Sequence, residues 1–381
     1  MQASNSSIMS DEVRDVKIGN KSFRYQSGRA ENLALHTISN KGANQPSTGR
    51  YVYWRPIDTH KPVVVYVMEK DIAMRLETEG GVKEEHLDFP VPYESQKLRL
   101  GLENGTILRP NVSFYKTEYE QVQQKRGIED KRSSHGSKVV SLIAGQKFGA
   151  ARECEIFVVG RKEAGATATE ALQINEERQE KSKVDEKVKE KSEKTQSERG
   201  SESSKVIYDW TEGLDQVRKQ FLSEKKRKPE LSGIMNISVG FMTTKERRKA
   251  LSSVLEAGII VVAAAGNDNL MDLPESMEDK RVIVIGGLDR HGKRWVEDET
   301  EGSNYGKRVD YWIQAQLKSS GGATEPVDVE GTSFSTPIAV GVIARMLSSG
   351  QASTGQEVRV LLDQWAQLEG GVKHLRNGPG L

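Results

Sequence analysis

Short, almost wholly apolar runs alternate with longer amphipathic stretches through most of the chain. The runs are Pro62 to Met68 (PVVVYVM), Glu155 to Val159 (EIFVV), Gly233 to Val239 (GIMNISV), Gly258 to Ala265 (GIIVVAAA) and Arg281 to Ile285, which leads into Gly286-Gly287. Each is too short for a buried helix and rich in β-branched residues, as in strands covered on both faces. The stretches between them carry helical spacing. His135 to Gly145 has apolar residues at 139, 140, 142 and 143 and closes on a glycine, so His135 starts a helix that buries one face. Tyr208, Trp210, Leu214, Val217 and Phe221 define a helix that ends at Lys225 to Lys228 and Pro229. Further helices are predicted over Lys245 to Ala257, from Ser333 onward with Pro337 in the first turn, and over Gly355 to Gln367. Strands alternating with helices of this length predict an α/β fold: a doubly wound, mostly parallel sheet with helices on both faces.

Three segments break the rhythm. Residues 1–55 are polar and rich in Ser, Asn, Gly and Lys, with weak strand signals at Ser22 to Tyr25 and Tyr51 to Trp54. They read as an N-terminal extension, partly ordered against a main domain of residues 56–381, and they lack the clear strand and helix alternation of a compact folding unit. Ala73 to Lys131 reads as loops with short elements. The third segment, about 161–205, is a charged low-complexity insertion: Glu176 to Lys205 is almost entirely Glu, Lys, Ser, Gln and Arg. It carries too little apolar surface to offset its ordering entropy and is expected to be disordered.

Composition narrows the function classes. Among 381 residues, Lys plus Arg (56) nearly balances Asp plus Glu (55), which argues against a nucleic-acid binder. No apolar run reaches membrane-spanning length. With one cysteine, Cys154, and no signal-peptide pattern in Met1 to Asp11, a cytoplasmic or otherwise intracellular location is expected. Cys154 reads as a small buried filler, and His36, His60, His86, His291 and His374 fall in no metal-ligand spacing. No metal site is therefore assigned.

The strand and helix ends offer a distinct set of groups. Glu69 follows the first apolar run, with Asp71 two residues on; His135 opens a helix; Asn267 follows Gly266 at the end of another run; Ser333 opens a helix after Gly331-Thr332. Acyl transfer on a serine needs such groups: an imidazole to take the hydroxyl proton, a carboxylate to orient the imidazole, and amide donors for the oxyanion. A helix N-terminus adds orphan N–H groups and the positive end of its dipole next to the serine.

In this order the motifs resemble those of the subtilisin-like serine proteases. His135-Gly136-Ser137-Lys138-Val139-Val140-Ser141 is similar to that family's His-Gly-Thr-His-Val-Ala-Gly helix, without its second His and mid-helix Gly. Ile237-Ser238-Val239-Gly240 resembles a wall of the substrate cleft, and Ala264-Ala265-Gly266-Asn267 the oxyanion-hole segment. Ser303-Asn304-Tyr305-Gly306 matches a further family stretch, and Gly331-Thr332-Ser333-Phe334-Ser335-Thr336-Pro337 the nucleophile motif. The resemblance implies a serine endopeptidase with Ser333 as nucleophile, His135 as base and Asn267 as oxyanion donor. It also implies Ser238, Val239, Gly240, Ala265, Gly266 and Thr332 as substrate-binding positions, a protein or peptide substrate, and no cofactor for the chemistry. Structural calcium is common in the family, and no segment here identifies a site. The family's strand-end aspartate is replaced by Glu69, with Asp71 where a glycine is expected and as the fallback carboxylate. The departure implies weakened catalysis, or alternatively a pseudoprotease that binds peptides or a partner through the cleft. In the family the segment after the strand at 155–159 lines that cleft, so the charged insertion is expected to regulate access or dock a protein partner.

Overall fold

In a computed structural model the described residues are 12–18, 21–29, 33–39, 50–56, 61–69, 76–77, 83–84, 98–101, 107–108, 135–145, 148–151, 154–159, 210–239, 244–271, 277, 279–319 and 326–378. Asp71, Gly240, the charged insertion and most of 73–131 lie outside them. The chain opens with β1 (Glu12–Ile18), β2 (Lys21–Arg29), α1 (Leu33–Ser39) and β3 (Arg50–Pro56). The three strands form an antiparallel sheet in the order β1-β2-β3. The N-terminal stretch therefore does alternate strand and helix, contrary to the sequence expectation. The register sets Val16 beside Phe23, Phe23 beside Pro56 and Tyr25 beside Trp54, with Phe23 1% exposed in the core, while Asp15 faces Arg24 and accepts from Arg24 Nε at 2.8 Å. Helix α1 buries Ala34, Leu35 and Ile38 in the main core. Asn377 N–H donates to Ile38 O at 2.7 Å, and Arg376 donates to Thr37 O at 2.7 Å, so the two ends of the chain are tied together.

The central sheet begins with β4 (Val63–Met68), and the short β5 (Leu76–Glu77) and β6 (Lys83–Glu84) pair beside it in sequence only with each other. There follow β7 (Leu98–Gly101), β8 (Ile107–Leu108), α2 (His135–Ala144), β9 (Glu155–Val159), α3 (Thr211–Arg227), β10 (Ser232–Ile237), α4 (Lys245–Glu256) and β11 (Ile260–Ala264). The chain then runs through β12 (Ile283–Leu288), β13 (Tyr311–Gln314), β14 (Leu317–Ser319), β15 (Val327–Val329), α5 (Thr332–Ser348), α6 (Gly355–Trp365), β16 (Gln367–Glu369) and β17 (Val372–His374). Ten strands pair in the order β16-β17-β13-β12-β11-β10-β4-β9-β7-β8. The outermost two are antiparallel to their neighbours, and the strands between them are parallel.

Alternate residues of one strand serve opposite faces, which is why the runs read as uninterrupted apolar sequence. Val63, Val65 and Val67 of β4 join a core with α2 and α5, while Val64, Tyr66 and Met68 join a second core with α3 and α4. This is the doubly wound, mostly parallel α/β sheet that the sequence predicts. From β4 the chain adds β7, β8 and β9 on one side, then crosses back to β10 on the other. Strand order thus reverses at β4, and sheets of this kind hold their ligands at the carboxyl ends of the strands flanking such a reversal.

Several boundaries differ from the sequence reading. Strand β10 stops at Ile237, so Ser238 and Val239 lie beyond its last pair. Strand β12 continues through Gly286 and Gly287 to Leu288, because Trp312 and Ala315 pack where a Cβ on either glycine would stand. Pro337 falls inside α5, past the first turn. Helix α6 ends at Trp365, and the chain turns into the β16–β17 hairpin. Among the described residues no helix is long and apolar enough to cross a membrane.

Candidate active site

Helix α5 is buried along its whole length, so its first turn is fixed by packing on every side. Gly331 precedes it with φ 122° and ψ 158°, a conformation that side chains other than glycine's strongly disfavour. A Cβ there would stand 2.9 Å from Asn267 Nδ2. Thr332 and Ser333 are the first helical residues, so their N–H groups have no partner within the helix. Ser333 is 8% exposed: it keeps a small accessible edge on an otherwise closed helix.

His135 opens α2 and lies half-buried against that first turn. Its ring centroid is 5.1 Å from that of Phe334, the residue after Ser333. Glu69 follows β4 and is 1% exposed. Its Oε2 lies 3.0 Å from His135 Nδ1, across 66 residues of sequence. A carboxylate only accepts, so Nδ1 carries the shared proton, and the ring is fixed in one tautomer. Ser319 Oγ donates to Lys138 O at 3.1 Å, which ties the β14–β15 hairpin preceding α5 to the first turn of α2.

Asn267 follows β11 through Ala265 and Gly266. Its Oδ1 accepts from Thr332 N–H at 3.0 Å and from Thr332 Oγ1 at 2.7 Å. Thr332 Oγ1 in turn accepts from Gly266 N–H at 3.2 Å. Because Oδ1 is taken up, the carboxamide is oriented with Nδ2 toward Gly331. Gly266 has φ 98°, and a Cβ there would stand 2.5 Å from Asn304 Nδ2. Beyond β10, Ser238 is buried, and its Oγ accepts from Asn236 Nδ2 at 3.0 Å; Val239 is half-buried beside it.

Glu69, His135, Asn267, Thr332 and Ser333 therefore converge at the carboxyl edge of the central strands, with Ser238, Val239, Ala265 and Gly266 along the same edge. Gly240 and Asp71 lie outside the described residues. Cys154 Sγ donates to Ala151 O at 3.1 Å, and burial pushes its thiol up to about 12, which disfavours the reactive thiolate. No group of three or more His, Cys, Asp or Glu residues among the described residues could hold a metal. Sequence reasoning left Asn304 without a role, although its stretch was legible as a motif. The missing signal is that a single buried carboxamide bonding to loop backbone leaves no periodicity to read.

A profile described as the subtilase family matches residues 78–380, a span that includes His135, Asn267 and Ser333 and begins after Glu69. The chain belongs to the subtilase family. It is 33% identical over 132 residues to "Subtilisin-like protease 10" of Arthroderma otae, covering 34% of this chain and 32% of that protein. It is 26% identical over 220 residues to "Subtilisin-like protease 2" of Trichophyton verrucosum, covering 56% of this chain and 41% of that protein. The chain thus spans less than half the length of these relatives. The solved structure of a cold-adapted subtilisin-like serine proteinase superposes with TM-score 0.52 at 18% identity, covering 90% of this chain and 97% of that one, a likeness of fold.

Proposed function

We propose that this chain is a serine endopeptidase that hydrolyses peptide bonds through an acyl-enzyme on Ser333. The observation that carries the reading is the 3.0 Å contact between buried Glu69 and His135 Nδ1, beside the helical turn that bears Ser333. Ser333 Oγ attacks the carbonyl carbon while its proton passes to His135 Nε2. Glu69 keeps Nδ1 protonated and stabilises the imidazolium that forms, the task of the family's usual aspartate. The oxyanion accepts from Asn267 Nδ2 and from the Ser333 N–H at the start of α5, aided by the helix dipole. The C–N bond then breaks, and the imidazolium proton goes to the leaving amine. Water repeats the sequence, adding to the acyl carbon as His135 takes its proton, and Ser333 recovers its hydroxyl as the acid leaves. None of these steps calls on a cofactor.

The catalytic unit in this reading is residues 56–381, with 1–55 as an extension. Ser238 and Val239 beyond β10 supply substrate-binding positions on one side, with Gly240 assigned by the family resemblance alone, and Ala265, Gly266 and Thr332 supply them at the ends of β11 and α5. The glutamate is one methylene longer than the aspartate it replaces, and activity below that of an aspartate-bearing relative follows from the displaced charge. The charged insertion after β9 screens the cleft or docks a protein partner. Replacing Glu176 to Lys205 with a short Gly-Ser linker should change peptide-cleavage rates; identical kinetics and partner binding would make it a spacer.

A fluorophosphonate probe tests the central reading, since it reacts only with an activated serine. Labelling should occur in the parent and vanish in Ser333→Ala. A well-folded parent that neither labels nor cleaves a peptide library would leave a peptide-binding protein without the activity.

A further inference from the structure

Asn304 is 1% exposed, and it bonds to both flanks of Asn267 without touching Asn267 itself. Its Oδ1 accepts from Asp268 N–H at 3.0 Å and from Leu270 N–H at 2.9 Å. Its Nδ2 donates to Ala265 O at 3.0 Å and lies 3.3 Å from Asp268 Oδ2, while its own N–H donates to Gly266 O at 2.9 Å. The two halves of the carboxamide thus have unambiguous roles, oxygen to donors and nitrogen to acceptors.

The neighbours of Asn304 complete the brace. Ser303 Oγ accepts from Gly287 N–H at 2.9 Å and donates to Asn304 O at 2.9 Å, fixing the residue to the end of β12. Gly302 N–H donates to Asn267 O at 3.1 Å, and Asn269 N–H donates to Gly302 O at 2.9 Å. Arg294 Nη1 spans both segments, donating to Ser303 O at 2.9 Å and to Asn269 Oδ1 at 2.6 Å, while its guanidinium stacks 4.3 Å from the Tyr305 ring centroid. Asn269 Nδ2 also donates to Asp298 O at 3.0 Å, and Tyr305 N–H donates to Leu270 O at 2.9 Å. The backbone around Asn267 is therefore held by Thr332 from the nucleophile helix and by Asn304 from the loop between β12 and β13.

We propose that Asn304 is a positioning residue, whose carboxamide sets the backbone of 265–270 so that Asn267 Nδ2 points at the developing oxyanion. The inference rests on the endopeptidase reading for its consequence in rate, and on geometry alone for the ordering of the loop. An oxyanion donor is worth its full contribution only when aimed before the reaction, so a displacement of about 1 Å is enough to lower the rate by roughly 10²-fold. Asn304→Asp keeps the size and both acceptor bonds but turns a carboxylate oxygen toward Ala265 O and Asp268. Asn304→Ala removes all the side-chain bonds.

Two measurements test this. In the first, amide exchange by mass spectrometry, Asn304→Ala should speed exchange at Asp268 and Leu270 by about 10-fold or more, with the strand amides of Val261 to Ala264 unchanged. Unchanged loop exchange overturns the proposal whether or not the chain cleaves anything, and Asn304→Asp takes the place of the alanine variant should that one not fold. The second is a double-mutant cycle: Asn304→Asp should lower kcat about 10- to 100-fold with KM within about 3-fold, but less than about 3-fold further when added to Asn267→Ala. Independent, multiplying losses in kcat would show that Asn304 does not act through Asn267. A parent without any activity would sink the endopeptidase reading instead, and loop exchange then decides the positioning role by itself.

Discussion

The Glu69 carboxylate, at the carboxyl end of β4, lies 3.0 Å from Nδ1 of His135, at the amino end of α2. The contact joins a buried carboxyl to a half-exposed ring, so the Glu69 side of the bond is shielded from water. Glu69→Gln should lower kcat by up to roughly 10⁴, the cost of losing the orienting carboxylate in serine proteases, with KM nearly unchanged. Glu69→Asp withdraws the carboxylate by one methylene and should also lose rate unless the strand end shifts. Steady-state kinetics on one peptide decides, and an unimpaired Glu69→Gln would assign the role to another acid.

The orientation of Asn267 is set by what its oxygen accepts from Thr332, and Nδ2 is then the donor that remains. Asn267→Ala should reduce kcat about 10²- to 10³-fold with little effect on KM, because the bond to the oxyanion forms only as charge develops. A variant with unchanged kcat would take Asn267 out of the mechanism.

The strands β4, β9, β10 and β11 were legible because each buries both faces, which leaves an unbroken apolar run. Strand β14 escaped notice for the opposite reason: three residues long, it carries exposed Lys318 between buried Leu317 and Ser319. In the N-terminal sheet the weak signals at Ser22 to Tyr25 and Tyr51 to Trp54 fall on β2 and β3, whereas β1 gave none because Arg14, Asp15 and Lys17 interrupt its apolar positions. At the site, the positions of Glu69, His135, Asn267 and Ser333 at element ends could be read from where apolar runs stop. Their mutual distances could not, since crossover order fixes which strand ends are neighbours. Asn304 illustrates the limit further: its partners are backbone atoms more than thirty residues away, and any sequence supplies those.

Gly331 is required twice, by its backbone angles and by the approach of Asn267. In Gly331→Ala the angles φ 122° and ψ 158° would be strained, at about 1–3 kcal/mol, and the new methyl would stand 2.9 Å from Asn267 Nδ2. The variant should therefore lose stability in urea denaturation and lose kcat together, since relief of the clash displaces the donor. Parent-like stability and kcat would mean that the turn before α5 is far more adaptable than its geometry implies.

His374, in the closing strand β17, is 2% exposed, and burial holds its pKa below the ordinary 6.5, with Arg376 adding to the effect and Glu369 opposing it. In the window between the lowered folded value and 6.5 the unfolded chain therefore binds the proton more readily than the folded one. Stability contributed by the neutral ring is present above 6.5 and is lost as pH falls toward the folded value. For one proton the slope is at most about 1.4 kcal/mol per pH unit. His374→Gln removes this titration, so its unfolding free energy should fall less steeply than the parent's as pH drops below about 6.5. The strand it sits in is joined by Leu375 N–H to Trp312 O at 3.0 Å, and the next residues, Arg376 and Asn377, hold α1. Acid should therefore loosen this end of the sheet and the N-terminal helix together, seen as faster amide exchange at Leu375 and Asn377 in the parent and not in the variant. Parallel stability curves for the two proteins across that range would show that His374 does not drive the acid response.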